Sequence, residues 1–357
     1  MTTASENRID EEKLNALIGQ AVGEFGTVVS AGLIVLGDRL GLYKDLKERG
    51  PATSAELAAR TGLSEQYLRH WLLNQAASGY VSYDSATARY SLTPEQAAVF
   101  ADDDSPAAMI GGYLVTVSLV KDEDRIAAAV RSGGGIRWGD HNPLLFPGTA
   151  RFFKPGYVGN IVQNWVPALD GAEARLKQGA KVADVGCGFG FSTIIMAQAY
   201  PNSRFYGFDN HPGSIEAARK AAAEAGVSDR VTFEVATAQD FPGTGFDLVT
   251  YFDCLHDMGD PDGAARHARE ALKPEGLVML VEPMAGNTVE ENLNPIGRIF
   301  SGASVLVCTP HAIAEKGRPL GTLATDAELN AVFHGAGFSS FRRATETITN
   351  RVFEAKA

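Results

Sequence analysis

At 357 residues, 45% of them hydrophobic and 21% charged, the chain is long enough for two domains with a sizeable buried core, and this composition excludes a disordered or fibrous protein. A formal net charge of −11 and a pI near 5.2 disfavour a nucleic-acid or anionic-membrane partner, because binding a polyanion needs clustered Lys and Arg; a small-molecule substrate fits better. Cys187, Cys254 and Cys308 form no C-x-x-C pair and are too few for a disulfide framework. With the polar, acidic stretch Met1 to Glu12 and no run near the roughly 18 apolar residues of a membrane span, they point to a cytoplasmic protein that neither enters nor crosses a membrane.

In chain order, apolar residues from Leu14 to Leu36 recur at helical spacing over residues 10–42, which we read as two helices. Their glycines at 19, 23, 26 and 32 suggest close packing against another surface, such as a second subunit. Thr53 opens a short helix that ends at Gly62, and Ser64 opens a second that runs to about Ala77; β-prone runs at 80–83 and 89–92 complete a winged-helix pattern. The pattern tempts a DNA-binding reading. Yet residues 1–105 hold 9 Lys and Arg against 15 Asp and Glu, so a packing and dimerisation module is the better reading.

Residues 106–178 mix helical segments with an aromatic, glycine-rich stretch containing Trp138, Phe146, Phe153, Tyr157 and Trp165, which suits either core packing or a lid over a flat ligand. From Lys181 the pattern alternates. Strands are expected at 181–185, 204–209, 231–236, 247–252 and 277–282, with helices at about 190–200, 214–225 and 262–272 between them. That is a doubly wound parallel sheet of the α/β, Rossmann-like class, whose ligand site lies along the carboxyl ends of its strands. A long excursion at 283–324 precedes a helix near 325–336 and closing strands near 339–344 and 350–355. The expected divisions are thus 1–105, a helical linker and lid at 106–178, and 179–357.

The chemistry centres on Asp184-Val185-Gly186-Cys187-Gly188-Phe189-Gly190, a strand that runs into three alternating glycines. Such glycines let backbone N–H groups approach a ligand closely. A dinucleotide fingerprint needs a glycine where this chain has Phe191, which argues against a pyrophosphate ligand. A carboxylate at Asp184 suits an ammonium-bearing ligand such as S-adenosylmethionine. Nineteen residues after Gly190, Asp209 ends the second strand and can accept both ribose hydroxyls of an adenosyl group. The small residues of Ala236-Thr237-Ala238-Gln239-Asp240 leave room for adenine.

Together with Phe252-Asp253-Cys254-Leu255-His256-Asp257-Met258, these residues resemble the class I S-adenosylmethionine-dependent methyltransferases. More narrowly, they resemble two-domain plant and bacterial O-methyltransferases with an N-terminal winged-helix dimerisation domain. The resemblance covers about residues 180–355 for the catalytic domain. It implies a seven-stranded sheet with its last strand antiparallel, a homodimer, and a general base at His256 oriented by Glu282. The family's motif tryptophan is replaced by Met258, and its second supporting glutamate, expected before Thr325, is missing, with Leu323 in its place. The other readings of His256 are a pocket-lining residue and a metal ligand with Cys254 or Asp257, although no metal is expected. Cofactor contacts are expected from Asp184, Gly186, Cys187, Gly188, Asp209, Asn210, Thr237, Ala238, Gln239, Asp253 and Tyr157. The expected reaction is methyl transfer to a small-molecule hydroxyl. The alternatives are N-, C- or S-transfer on the same scaffold, or a cofactor-binding transcriptional regulator.

Overall fold

The computed structural model describes residues 9–357, which divide into two compact units, one up to Val117 and the other Ser118–Ala357. In the first unit, Asp10 caps a single helix, Glu11–Arg39, by accepting from the backbone N–H groups of Glu12 and Lys13. The two helices read from sequence are therefore one. No proline interrupts the stretch, and its five glycines each weaken a helix without breaking it. Only part of this helix is buried: Ile34 is enclosed, and Trp71 donates its ring N–H to the Leu33 carbonyl at 2.8 Å. Leu17, Val22, Phe25, Val28 and Val29 are exposed.

The helices Leu42–Arg49, Ser54–Thr61 and Glu65–Ala77 pack through Leu46, Leu57 and Leu72. Thr53 and Glu56 form a capping box, and Gly62 ends the helix in the left-handed region. β1 (Ser82–Asp84) and β2 (Arg89–Ser91) pair antiparallel to form the wing. By length and composition two helical runs, Glu11–Arg39 and Pro295–Ala314, reach what a membrane span needs. The expectation from sequence counted only consecutive apolar residues, and both runs mix these with glycines and small polar residues.

The second unit holds β3 (Lys181–Val185), β4 (Arg204–Asp209), β5 (Val231–Val235), β6 (Phe246–Phe252), β7 (Leu272–Pro283), β8 (Ser340–Glu346) and β9 (Asn350–Lys356), in the order β5-β4-β3-β6-β7-β9-β8. β3 to β7 are mutually parallel, and β9 runs antiparallel to both its neighbours. Successive residues alternate faces. In β7, Leu277, Met279 and Val281 join one apolar cluster with Trp165, Met196 and Phe205, while Val278 and Leu280 join another with Phe246, Leu329 and Phe333. Helices cover both faces, as a parallel sheet requires.

The winding direction reverses between β3 and β6, and at such a point the carboxyl ends of the strands leave a crevice. The 283–324 excursion is largely helical: Pro295–Ala303, a π-helical turn Ser304–Cys308, and Thr309–Ala314. A second π turn, Ile161–Trp165, follows the helix Leu145–Asn160.

Gly207, in the middle of β4, has no room for a side chain, since a Cβ there would lie 2.4 Å from the Phe233 ring. Gly207→Ala is expected to destabilise the fold by about 1–3 kcal/mol through overpacking. Phe233→Leu in the same background should recover part of that loss. Denaturant unfolding of the single and double variants measures both effects, and an additive double variant would show that the two side chains do not meet.

Candidate active site

β3 ends in the glycine turn because its backbone is tied to β4: the N–H groups of Gly186 and Cys187 both donate to the Phe208 carbonyl, at 2.8 and 3.0 Å. Gly186, Gly188 and Gly190 have φ of 71°, 52° and 75°, where only glycine sits without strain. They are small for different reasons. A Cβ on Gly186 would meet the Cys254 sulfur at 2.7 Å, whereas one on Gly188 would meet nothing within 4 Å. The space above Gly188 is the floor of a cavity of about 520 Å³ at the carboxyl ends of β3, β4, β5 and β6.

Asp209 binds the turn from the other side, its two oxygens accepting from Gly188 N–H at 2.9 Å and His211 N–H at 2.8 Å. Burial pushes this carboxyl above the usual carboxylate range. Asp184, expected beside the ligand, does not line the cavity. Its carboxylate accepts from Ser192, Thr193 and Thr250 hydroxyls at 2.7, 2.5 and 3.0 Å, so it braces β3 against the helix Phe191–Ala199 and β6. Burial raises it to about 6, against the pull of those three hydrogen bonds.

The other expected contacts, Gly186, Cys187, Gly188, Asp209, Asn210, Thr237, Ala238, Gln239, Asp253 and Tyr157, all line the cavity. Thr237 is fixed by Asp240, which accepts from its N–H and hydroxyl at 3.1 and 2.6 Å, and the Gln239 amide donates to the Asp260 carbonyl at 3.0 Å. Tyr157 donates to one Asp253 oxygen at 3.0 Å and Asn350 to the other at 2.7 Å.

The aromatic segment supplies one wall. Phe146, Thr149, Ala150, Phe153 and Tyr157 recur at helical spacing along one face of Leu145–Asn160 and face the cavity. Phe146 stacks on His211, with ring centroids 4.7 Å apart. The excursion closes another side: His311 Nδ1 accepts from Trp138 N–H at 3.1 Å, and Glu315 accepts from Gly259 N–H at 2.8 Å. Sequence reasoning missed His211, Asn350 and Glu315, because their partners Phe146, Asp253 and Gly259 are 65, 97 and 56 positions away.

His256 and Glu282 meet as expected, with Nδ1 and a carboxylate oxygen 2.5 Å apart. His256 is only 4% exposed, and its neighbours Cys254 and Asp257, not the imidazole, line the cavity. The Cys308 sulfur lies within 4.8 Å of an imidazole nitrogen. Burial alone would lower the imidazole's proton affinity, but the Glu282 carboxylate and Cys308 outweigh it and raise the pKa well above the usual histidine value. Cys308 faces the imidazole, whereas His311 accepts from Trp138 N–H. Among the described residues, His256, Asp257 and Cys308 bring donor atoms within 4.8 Å of one another, a set that could hold a metal.

S-adenosylmethionine, expected from the sequence, passes a test of fit. Asp209, Asp253, Asp257, Asp260 and Glu315 line the cavity, and among the described residues no lysine or arginine does so. This charge suits a cationic nucleoside and repels a polyphosphate. Gly188 leaves the open floor, Asp209 would hold the ribose, and 236–239 the base.

Residues 176–324 match the family described as a methyltransferase domain, and residues 29–101 match the Rv2258c-like winged HTH domain. The chain is 36% identical over 107 residues to the 27-O-demethylrifamycin SV methyltransferase of Amycolatopsis mediterranei (strain S699), a match covering 29% of this chain and 39% of that protein. It spans about two fifths of the length of curated relatives of this kind. The solved mitomycin 7-O-methyltransferase superposes with a TM-score of 0.72 at 18% identity, over 98% of this chain and 100% of that one. Human N-acetylserotonin methyltransferase, solved in complex with S-adenosylmethionine, gives 0.69 at 16% identity over 99% of each chain. These two structures share the fold.

Replacing Asp209 by Ala removes a charge-assisted acceptor worth about 1.5–3 kcal/mol, so affinity for S-adenosylmethionine is expected to fall at least about tenfold. Calorimetry on the folded variant checks this. Unchanged affinity would show that Asp209 only ties down the turn.

Proposed function

We propose that this chain, which joins a winged helix-turn-helix domain at 29–101 to a methyltransferase domain at 176–324, transfers the methyl group of S-adenosylmethionine to a hydroxyl of a small molecule. The observation that carries the choice of hydroxyl is the buried His256–Glu282 pair at the end of β6, next to the cavity residues Cys254 and Asp257. The donor, when bound, supplies an electrophilic methyl on a positively charged sulfur. An unperturbed phenol has a pKa of about 10, so forming its anion at pH 7 costs about 4 kcal/mol. A positioned imidazole removes that cost by taking the proton as the new bond forms. Glu282 holds Nδ1, which leaves Nε2 for the acceptor. In the reacting complex the acceptor hydroxyl reaches the imidazole beside Cys308, and the helices of the excursion exclude water around it.

Incubating the protein with labelled donor and a panel of phenols tests the assignment, since transfer to amines alone would overturn it. His256→Gln is expected to lower kcat by about 10²–10⁴ while leaving donor affinity nearly intact. Near-normal turnover at pH 7 would make His256 a structural residue. Because Glu282 and Cys308 raise its proton affinity, the neutral imidazole grows only as pH rises. The wild-type kcat should therefore climb with pH through a midpoint above the usual histidine value, and the climb should be absent from His256→Gln. Glu282→Gln should cost less and should not add to the loss in His256→Gln, because the two side chains act as a pair.

We also propose that the exposed apolar face of Glu11–Arg39 binds a second copy of the chain, which makes the protein a homodimer. The helix Glu65–Ala77, in the position that would read DNA, carries Arg69 as its single Lys or Arg and opens with Glu65, so it offers little to a phosphate backbone. Sedimentation at micromolar concentration is expected to show a dimer for the wild type and a monomer for the double substitution Val22→Glu, Phe25→Glu. A wild-type monomer, or DNA mobility shifts that survive moderate salt, would overturn this reading.

A further inference from the structure

Asp253 occupies a position that its backbone resists. At φ 51° it is one of three non-glycine residues with positive φ among the described residues, and it closes β6 at the cavity edge beside the glycine turn. Its N–H donates to the Val281 carbonyl at 2.8 Å, which locks the strained conformation in place. Such strain persists where the surroundings over-determine it, and it gathers at functional sites. The result is a carboxylate held over the cavity with one donor on each oxygen, Tyr157 at 3.0 Å and Asn350 at 2.7 Å.

Both donors are neutral. The charged and titratable groups around Asp253 are mostly acidic: Asp184 on β3, Cys254 and Asp257 on the following turn, and Glu282 on β7. Against them stands only His256, itself paired with Glu282; Arg351 on β9 is placed opposite Glu282 and bonds to Pro283 and Asp326. Burial, with the Glu282 charge adding to it, pushes the Asp253 carboxyl up to about 8. Among the described residues an ionised Asp253 therefore lacks a cation of its own, and no lysine or arginine of theirs lines the cavity.

We propose that Asp253 is the counter-ion for the donor's sulfonium charge, so that donor binding expels a proton from Asp253 and formation of the uncharged thioether product restores it. This rests on the reading of the donor as S-adenosylmethionine. The charges balance over one turnover. Donor binding replaces the proton on Asp253 by the sulfonium charge. On transfer the acceptor oxygen gains the methyl, the electron pair of the broken carbon–sulfur bond stays on sulfur, and the acceptor's proton passes to His256. The positive charge that kept Asp253 ionised is then gone, and its carboxyl takes up one proton, from His256 or from water. The product is thereby held less selectively than the donor.

The test compares S-adenosylmethionine with S-adenosylhomocysteine on the full chain by calorimetry. Their amino groups are both largely protonated at about pH 7 and below, so proton release is compared there. At about pH 7, in buffers of different ionisation enthalpy, the donor is expected to release close to one proton more than the product. The ratio of their affinities should rise about tenfold per pH unit up to about pH 8 and level off above it. Asp253→Asn should abolish both effects. Tyr157→Phe removes a hydrogen bond that favours the ionised form, so it should keep the effects and move the levelling point to higher pH. Equal proton release for the two ligands, or a ratio independent of pH in the wild type, would overturn the proposal and leave the donor assignment standing. Failure of both ligands to bind would instead overturn the donor assignment, and the proposal with it.

Discussion

The ends of β3 and β4 hold each other. The Phe208 carbonyl accepts from the first two residues of the glycine turn, and the next residue of β4, Asp209, reaches back to the N–H of Gly188. Without the first tie the turn would not lie over the sheet, and without the second its backbone would not face the cavity. Asp184 adds a third restraint from inside, gathering hydroxyls from the following helix and from β6. The Asp184 restraint uses polar groups that are fully buried, where an unmade hydrogen bond costs about 1–3 kcal/mol. The crevice between β3 and β6 is therefore a stiff place on which to mount less regular walls.

Those walls explain how much could be read in advance. The strands at 181–185 and 204–209 coincide with β3 and β4, because each is a short apolar run closed by turn residues. The cofactor residues on these strand ends were legible for the same reason, since topology alone brings them together. The sequence reading divides Glu11–Arg39 into two helices, whereas in the absence of proline its glycines are only weak points in one continuous helix. Asp184 was placed correctly on its strand, but its side chain could not be oriented from spacing, because the hydroxyls that claim it lie 8, 9 and 66 residues away. Cys308 against His256, and Asn350 against Asp253, were invisible for the same reason. Side chains that meet across an irregular excursion leave no period in the sequence.

Two carboxylate pairings share the end of β6 and divide its chemistry. Glu282 faces an imidazole that titrates, while Asp253 faces a phenol and an amide that do not. The first pair suits moving a proton, and the second suits holding a charge. The Glu282 charge raises the cost of ionising Asp253, so that a change in the first pair is felt at the second.

The π-helical turn Ser304–Cys308 sits between two α-helical stretches, and it accommodates one residue more than an α turn would. Everything after it is therefore out of phase with everything before it, by about 100° of rotation per residue. Deleting a single residue from this turn would let the run relax into one regular α-helix. Cys308 would then swing off the imidazole, and His311 and Glu315 would turn away from Trp138 and Gly259. Length in this segment is consequently more constrained than side-chain identity: many substitutions at its exposed positions can be absorbed, whereas a one-residue deletion would re-aim a whole wall of the cavity at once.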